Sequence, residues 1–262
     1  MIDKRELLEK ARERNLNLQM IEKDYILGWL LFGISKIPDL VFKGGTALSK
    51  IYFSRIWRLS EDLDFAFAGK DLDNMLEAIG ETLSYTKRAS GIKFRIKSHH
   101  INPLYLQIKI QYDALLGRNW AKVDLTKEEV LDKTWSRKLT QGYSDYPKFT
   151  LRVESLEEIF AEKLRSLTER KKCRDYYDVW QLLRLRPNLA KTRSLFFKKC
   201  EAKQIKFKGP IQFFPADLPQ ILSSYWEREL GRLVHPLPDL ERVLKEMRKK
   251  LDFLVHVTGG RD

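Results

Sequence analysis

The sequence predicts an α/β (α+β) protein: a mixed sheet flanked by helices over residues 1–150, then a helical domain over residues 151–262. Three observations lead there. Strict apolar–polar alternation is confined to the first part, as in "DLDFAFA", "GIKFRIKSH" and "LYLQIKIQY". Helical spacing dominates after Val153. The 262 residues suit one large domain or two moderate ones, at about 100–200 residues each.

Each element follows from its local pattern. Residues 3–14 combine helical spacing with many charges. A second helix is expected from about Met20 to Ser35, with Ile21, Tyr25, Leu31 and Phe32 in its apolar stripe, broken by Pro38. "LVF" reads as a short buried strand entering Gly44 and Gly45, and spacing from Thr46 to about Ser54 is helical. In the next strand Leu63, Phe65 and Phe67 face one way, and Asp62, Asp64 and Ala66 the other. Residues 71–86 suggest a helix. Ile92, Phe94 and Ile96 alternate in one strand and Leu104, Leu106, Ile108 and Ile110 in another. The turn-like "HINP" joins the two as an antiparallel hairpin. "AKVDLT" adds a strand with Asp124 turned away from Val123 and Leu125.

Beyond Val153, "ESLEEIFAEKLRSLTER" is a helix with Ser155 as N-cap and Glu158 at the capping-box position. "RDYYDVWQLLRL" is another, ended near Pro187, and residues 188–201, 217–231 and 239–254 can all be helical. Trp180, Tyr225 and Trp226 fall at core spacing among leucines.

Composition narrows the function. The formal net charge is +13 and the pI about 9.6, which points to polyanionic partners, nucleic acid or nucleotides ahead of membranes. Lys163 to Lys208 alone holds fifteen Lys/Arg against four Asp/Glu, a net of +11. A solvated helix face is the plain alternative, but few acids offset this run, which favours polyanion binding. Cys173 and Cys200 form no CxxC or Cys/His cluster. That argues against zinc and fits a reducing compartment. His99, His100, His235 and His256 lack ligand spacing and are expected at the surface. The opening "MIDKRELLEKARERN" has no signal-like apolar core. The run "YILGWLLFGI" falls short of the ~20 residues of a membrane helix. A cytoplasmic protein with no membrane partner is expected.

The chemistry concentrates in "FKGGTALSKIYFSRIWRLSEDLDFAF". Asp62 and Asp64 share a strand face, where their carboxylates can converge on divalent ions. Left alone, two such charges ~6 Å apart repel by about 2–3 kcal/mol at an effective dielectric near 20. A cation is therefore needed, and Arg55 or Arg58 could equally supply it in a salt-bridged surface strand. Glycines at a helix start let backbone N–H groups reach a phosphate, with Thr46 and Ser49 adding hydroxyls. The alternative is a tight turn with Thr46 as N-cap. Together the two signals describe a strand-helix-strand unit that holds a nucleoside triphosphate and its metal ions. Asp124 is the candidate third carboxylate, with a pair to Lys122 or Lys127 as its alternative, and Asp113 is the reserve.

"EKDYIL", "FKGGTALSK", "RLSEDLDF", "VDLT", "EEIFAEKLRSLTER" and "RDYYDVWQLL" occur in that order. Together, over about residues 20–185, they resemble the AbiEii-type (abortive infection) toxin family of the DNA-polymerase-β-like nucleotidyltransferase superfamily. The resemblance implies a nucleotidyltransferase core followed by a helical domain, with the site between them. It implies that Gly44, Gly45 and Thr46 bind the triphosphate; Lys43, Ser49 and Ser60 join them as candidate nucleotide-binding residues. Asp62, Asp64 and, as the loosest correspondence, Asp124 would hold Mg²⁺ or Mn²⁺. Lys163 would contact the nucleotide phosphates or act as a catalytic residue in the site, and Arg174, Asp175 and Asp178 match an RDxxD element; the residues themselves favour a structural or positioning role for Asp175 and a site role for Asp178. Lys163, Arg170 and Arg174 would share one face if their helix continues. The implied activity is transfer of NMP from an NTP to an acceptor hydroxyl, on tRNA or other RNA, with release of pyrophosphate, in a protein partnered by a cognate antitoxin. Modification of a protein or small molecule, or a non-catalytic nucleotide or nucleic-acid binding module, are the alternatives.

Overall fold

Asp3 and Asn17 start the first two helices. Asp3 accepts the Glu6 amide at 2.8 Å ahead of α1 (Lys4–Arg14), and Asn17 accepts the Met20 amide at 2.9 Å ahead of α2 (Leu18–Ile34). The computed structural model describes residues 1–53, 58–69, 71–140 and 142–255. Ser54, Arg55 and His256, which figured in the sequence reading, lie outside the described residues.

The chain divides into two units, Met1–Ser155 and Leu156–Asp262. In the first, α2 carries no single stripe, because it is buried on every side, as a helix apolar all round must be. The Tyr146 ring packs so closely on Gly28 that a Cβ there would collide with it. After α2 come β1 (Leu40–Lys43), α3 (Gly44–Ala47), a π-helical turn (Leu48–Tyr52), β2 (Asp62–Phe67) and α4 (Met75–Ser90). Then follow β3 (Lys93–Asn102), β4 (Tyr105–Ala114), β5 (Gly117–Lys127), β6 (Trp135–Arg137) and β7 (Leu151–Val153).

Three local expectations shift. The helix after β1 begins at Gly44 rather than Thr46, because Lys43 is still extended and Gly44 makes the turn. The helix expected over residues 71–86 begins at Met75, since Asp71 accepts the Asp73 amide at 2.9 Å and holds a turn first. Leu104 sits exposed in the β3–β4 turn, its amide bonded to Asn102 Oδ1 at 2.9 Å.

Among the described residues the strands form one mixed sheet in the order β3-β4-β5-β2-β1-β7-β6. β2 runs parallel to β5 and antiparallel to β1. Register sets the faces. Phe42, Phe65, Leu125 and Leu106 form one cross-strand row, and Leu63, Val123 and Ile108 another. All seven are buried, so this face is core and the opposite face carries the polar residues.

The second unit contains α5 (Leu156–Glu169), α6 (Cys173–Leu182), α7 (Leu189–Ala202), α8 (Leu218–Leu230) and α9 (Leu240–Lys250). Tyr176, Phe196 and Phe213 fill its core. Trp180 and Trp226 are buried there, with indole N–H bonds to Glu246 at 2.8 Å and to the Pro238 carbonyl at 2.9 Å. Tyr225 is exposed instead, with Arg228 stacked 4.6 Å from its ring centre. The two point about 100° apart on α8, and it is Trp226 that faces the core. No described helix is long and apolar enough to cross a membrane. Both cysteines are free and buried, and burial pushes each thiol up to about 11, so neither is a poised nucleophile.

A buried charge cluster ties α2 to the π-helical turn. Lys50 Nζ donates to Asp24 Oδ1 at 2.7 Å and to the Asp24 carbonyl at 3.0 Å, while Tyr143 OH and Arg14 approach Oδ2 at 3.0 and 3.4 Å. Burial alone would raise the Asp24 pKa. The charges of Lys50 and Arg14, with hydrogen bonds from Lys50 and Tyr143, overcome it and lower the value. Its stabilisation is therefore present above the ordinary carboxylate pKa of ~4 and lost as pH falls through the depressed folded value. We expect Asp24→Asn to cost about 3–5 kcal/mol in urea unfolding at pH 7. That deficit should shrink as the comparison is repeated below about pH 4.

Candidate active site

The polar face of the sheet is organised in two rows. Lys43, Asp64, Asp124, Gln107 and His100 stand in register across β1, β2, β5, β4 and β3. Next to them run Asp62, Lys122, Lys109 and Ser98. Directly paired strand residues point to the same face, so Asp62, Asp64 and Asp124 share one surface. Asp113 does not join them. It pairs with Arg118 at 2.9 Å, six residues along β4 from Gln107, or about 20 Å.

The glycine turn meets this surface at Asp64. Gly44 has φ +74°, and a Cβ on it would lie 2.5 Å from Asp64 Oδ2. The position therefore requires glycine twice, for its backbone angle and for the carboxylate against it. The Thr46 hydroxyl donates to the Asp62 carbonyl, and the Ser49 hydroxyl donates to the Thr46 carbonyl at 3.1 Å. Both hydroxyls brace the turn against the acidic strand. Lys43 pairs with Glu128. A Cβ on Gly45 would meet the Arg58 guanidinium at 3.2 Å and Ser60 Oγ at 3.5 Å, so a cation and a hydroxyl flank the turn.

The cation set against the acids is Lys122. Its Nζ lies 3.0 Å from Asp124 Oδ2 and 3.4 Å from Asp62 Oδ2. Burial alone would pull its pKa down. The hydrogen bond to Asp124 and the charges of Asp62, Asp124 and Asp64 outweigh burial and hold it above the ordinary lysine value. Asp124 is also oriented from β4. Tyr105 OH donates to Asp124 Oδ1 at 2.7 Å, and Gln107 Nε2 approaches the same oxygen at 3.1 Å. Burial and that bond raise the Tyr105 phenol to about 12, so it stays a donor.

In the second unit, α5 ends at Glu169 and α6 starts at Cys173. Lys163, Arg170 and Arg174 therefore share no continuous helix. Arg170 bends back to Asp175 Oδ2 at 2.8 Å. Lys163 Nζ lies between Asp175 Oδ1 at 2.9 Å and Asp178 Oδ2 at 2.8 Å. Asp175 is in the first turn of α6, whose N-cap is Lys172. Burial would raise the Asp175 pKa, but Lys163 and Arg170 drive it well below the carboxylate range. Lys199 is likewise internal, 2.8 Å from Glu158 and 2.9 Å from Glu162. The basic run is thus two populations. Lys163 and Lys199 hold the unit together, while Lys171, Lys172, Lys198, Lys203, Lys206 and Lys208 are exposed.

A sequence model of the family "nucleotidyl transferase AbiEii toxin, type IV TA system" matches residues 29–252. The chain belongs to the AbiEii family. It is a nucleotidyltransferase toxin of a type IV toxin–antitoxin system. Solved structures repeat the fold. MenT4, a nucleotidyltransferase toxin from Mycobacterium tuberculosis, matches with TM-score 0.73 at 20% identity, over 99% of this chain and 91% of that one. JHP933 from Helicobacter pylori matches with TM-score 0.61 at 18% identity, over 91% and 93% of the two chains. A candidate nucleotidyltransferase from H. pylori gives 0.59 at 20% identity, over 92% and 100%. No curated protein matches the chain in sequence.

Within this AbiEii chain, residue pattern alone missed four contributors. Tyr105 and Gln107 occupy the polar phase of the β4 alternation, a visible signal, but their aim at Asp124 depends on strand register. Lys122 figured only as an alternative partner of Asp124. Glu128 carried no signal at all.

Two substitutions test the geometry. Gly44→Ala should cost about 1–3 kcal/mol for the left-handed backbone alone and abolish transfer by displacing Asp64, read by thermal melting and an activity assay on the same preparation. Lys163→Met should cost about 3–5 kcal/mol in denaturant unfolding, because it takes the ammonium from between buried Asp175 and Asp178. Arg170→Ala, which removes a half-exposed partner, should cost about 1 kcal/mol or less.

Proposed function

We propose that this protein transfers a nucleoside monophosphate from an NTP to an acceptor hydroxyl on tRNA or another RNA. The acceptor oxygen forms a bond to the α-phosphorus, the bond to the β-phosphate oxygen breaks, and pyrophosphate leaves. One observation carries the reading: Gly44 lies directly against Asp64, which is in register with Asp124. Phosphate-binding backbone and metal-binding carboxylates then share one surface.

The residues fit a divalent ion. Asp62, Asp64 and Asp124 present hard oxygen donors on one face, the set that Mg²⁺ or Mn²⁺ favours. Bound there, the ion would polarise a phosphoryl oxygen and neutralise charge on the leaving pyrophosphate. The chain supplies the rest. Tyr105 and Gln107 fix the orientation of Asp124. The amides after Lys43, with Arg58 beside Gly45, take the triphosphate. Thr46 and Ser49 keep the turn and the acidic strand in fixed relation, with Ser60 beside them. The family resemblance implies nucleotide handling for Lys163 and Asp178, in addition to the buried ion pair that they form within the second unit. The exposed lysines of the second unit would hold the RNA backbone, giving affinity that falls steeply with salt and selects little sequence.

The test is transfer of α-³²P label from each NTP to total tRNA, to other RNA and to protein extract. Label should appear on RNA. Asp64→Asn, which keeps the size of the side chain, should lower the rate on the order of 10²–10³-fold while still melting cooperatively. Label appearing only on protein would move the acceptor, and undiminished transfer by Asp64→Asn would remove the assignment of the site.

A further inference from the structure

We propose that Lys122 is a built-in counter-ion that makes divalent-cation loading depend on the nucleotide; this rests on the metal-site reading above. Lys122 Nζ stands 3.0 Å from Asp124 and 3.4 Å from Asp62. An Mg²⁺ ion bound by those oxygens would approach them to about 2.0–2.1 Å. Two cations cannot occupy that space together, so metal binding displaces the ammonium. The side chain is free to leave, being 26% exposed.

Where the ammonium goes decides the energetics. The cross-strand partner of Lys122 on β4 is Lys109, another cation on the same face. Further along β5 is Trp120, whose ring already has Lys109 and Lys23 over it at 5.3 and 5.1 Å. Turned away from the acids, Lys122 enters a surface already rich in positive charge. A bare metal ion therefore gains three carboxylates but leaves an ammonium beside lysines. A metal ion arriving with a triphosphate brings the anion that this ammonium needs. Metal and nucleotide then bind with positive coupling, and the coupling is reciprocal. In the metal-free protein the same lysine neutralises part of the acid surface.

Calorimetric titration with Mn²⁺ and Mg²⁺, alone and with the α,β-methylene analogue of each common NTP, tests this without turnover. Wild type should bind metal at least tenfold tighter with the preferred analogue present. Lys122→Gln should bind bare metal at least tenfold tighter than wild type and lose about the same factor of coupling. Lys122→Arg, which keeps the charge, should stay close to wild type and guards against a Gln variant that does not fold. Equal bare-metal affinity of wild type and Lys122→Gln, abolished in both by Asp64→Asn, would overturn the counter-ion while sparing the metal site. Metal binding that ignores Asp64→Asn in every form would sink the metal site and this proposal together.

Discussion

Three carboxylates on one face of a sheet repel one another, and the structure is built around that repulsion. Asp64 is pressed onto a glycine, where no side chain competes for space. Asp124 is held by a phenol and an amide. Lys122 supplies positive charge. Behind them the opposite face is a continuous apolar wall, which fixes the strands that carry the acids. The buried Asp24–Lys50 contact extends the logic outward by anchoring the turn that follows the glycines to the enclosed helix α2. An arrangement this costly in like charge fits the proposed site for a divalent ion and a polyphosphate.

The second unit uses charge differently. Its buried lysines are each shared by two carboxylates, so they act as internal cross-links rather than as surface potential. The net positive run in the sequence therefore overstates the field available to a polyanion. What remains outside is still substantial, because the exposed lysines on the α5–α6 connection and around the C-terminal end of α7 have few acids among them.

Much of this was legible in residue order. Period-two alternation located β2, β4 and β5, and helical spacing located the later helices, because each pattern reports burial along a single element. The glycine pair and the paired aspartates were read as neighbours on a strand-helix-strand unit, and the structure sets Gly44 against Asp64. What alternation cannot carry is which strand lies beside which. The row from Lys43 to His100 exists only once five strands are in register, and so Tyr105, Gln107 and the placement of Lys122 stayed hidden. β6 and β7 have three residues each, too short for a period to show. Two helices were legible on either side of "KKC", as the structure has them, but the return of Arg170 onto Asp175 at the break carried no signal in residue order.

The row across the sheet has an evolutionary corollary. Because side chains alternate with a period of two, one residue gained or lost inside β2 or β5 would rotate the aspartates into the hydrocarbon wall and bring leucine, valine or phenylalanine to the outer surface. Length changes in the β3–β4 connection, around exposed Leu104, leave that phase intact. Descendants of this chain are thus free to drift in loop length at the sheet margin, while the two central strands are locked in frame.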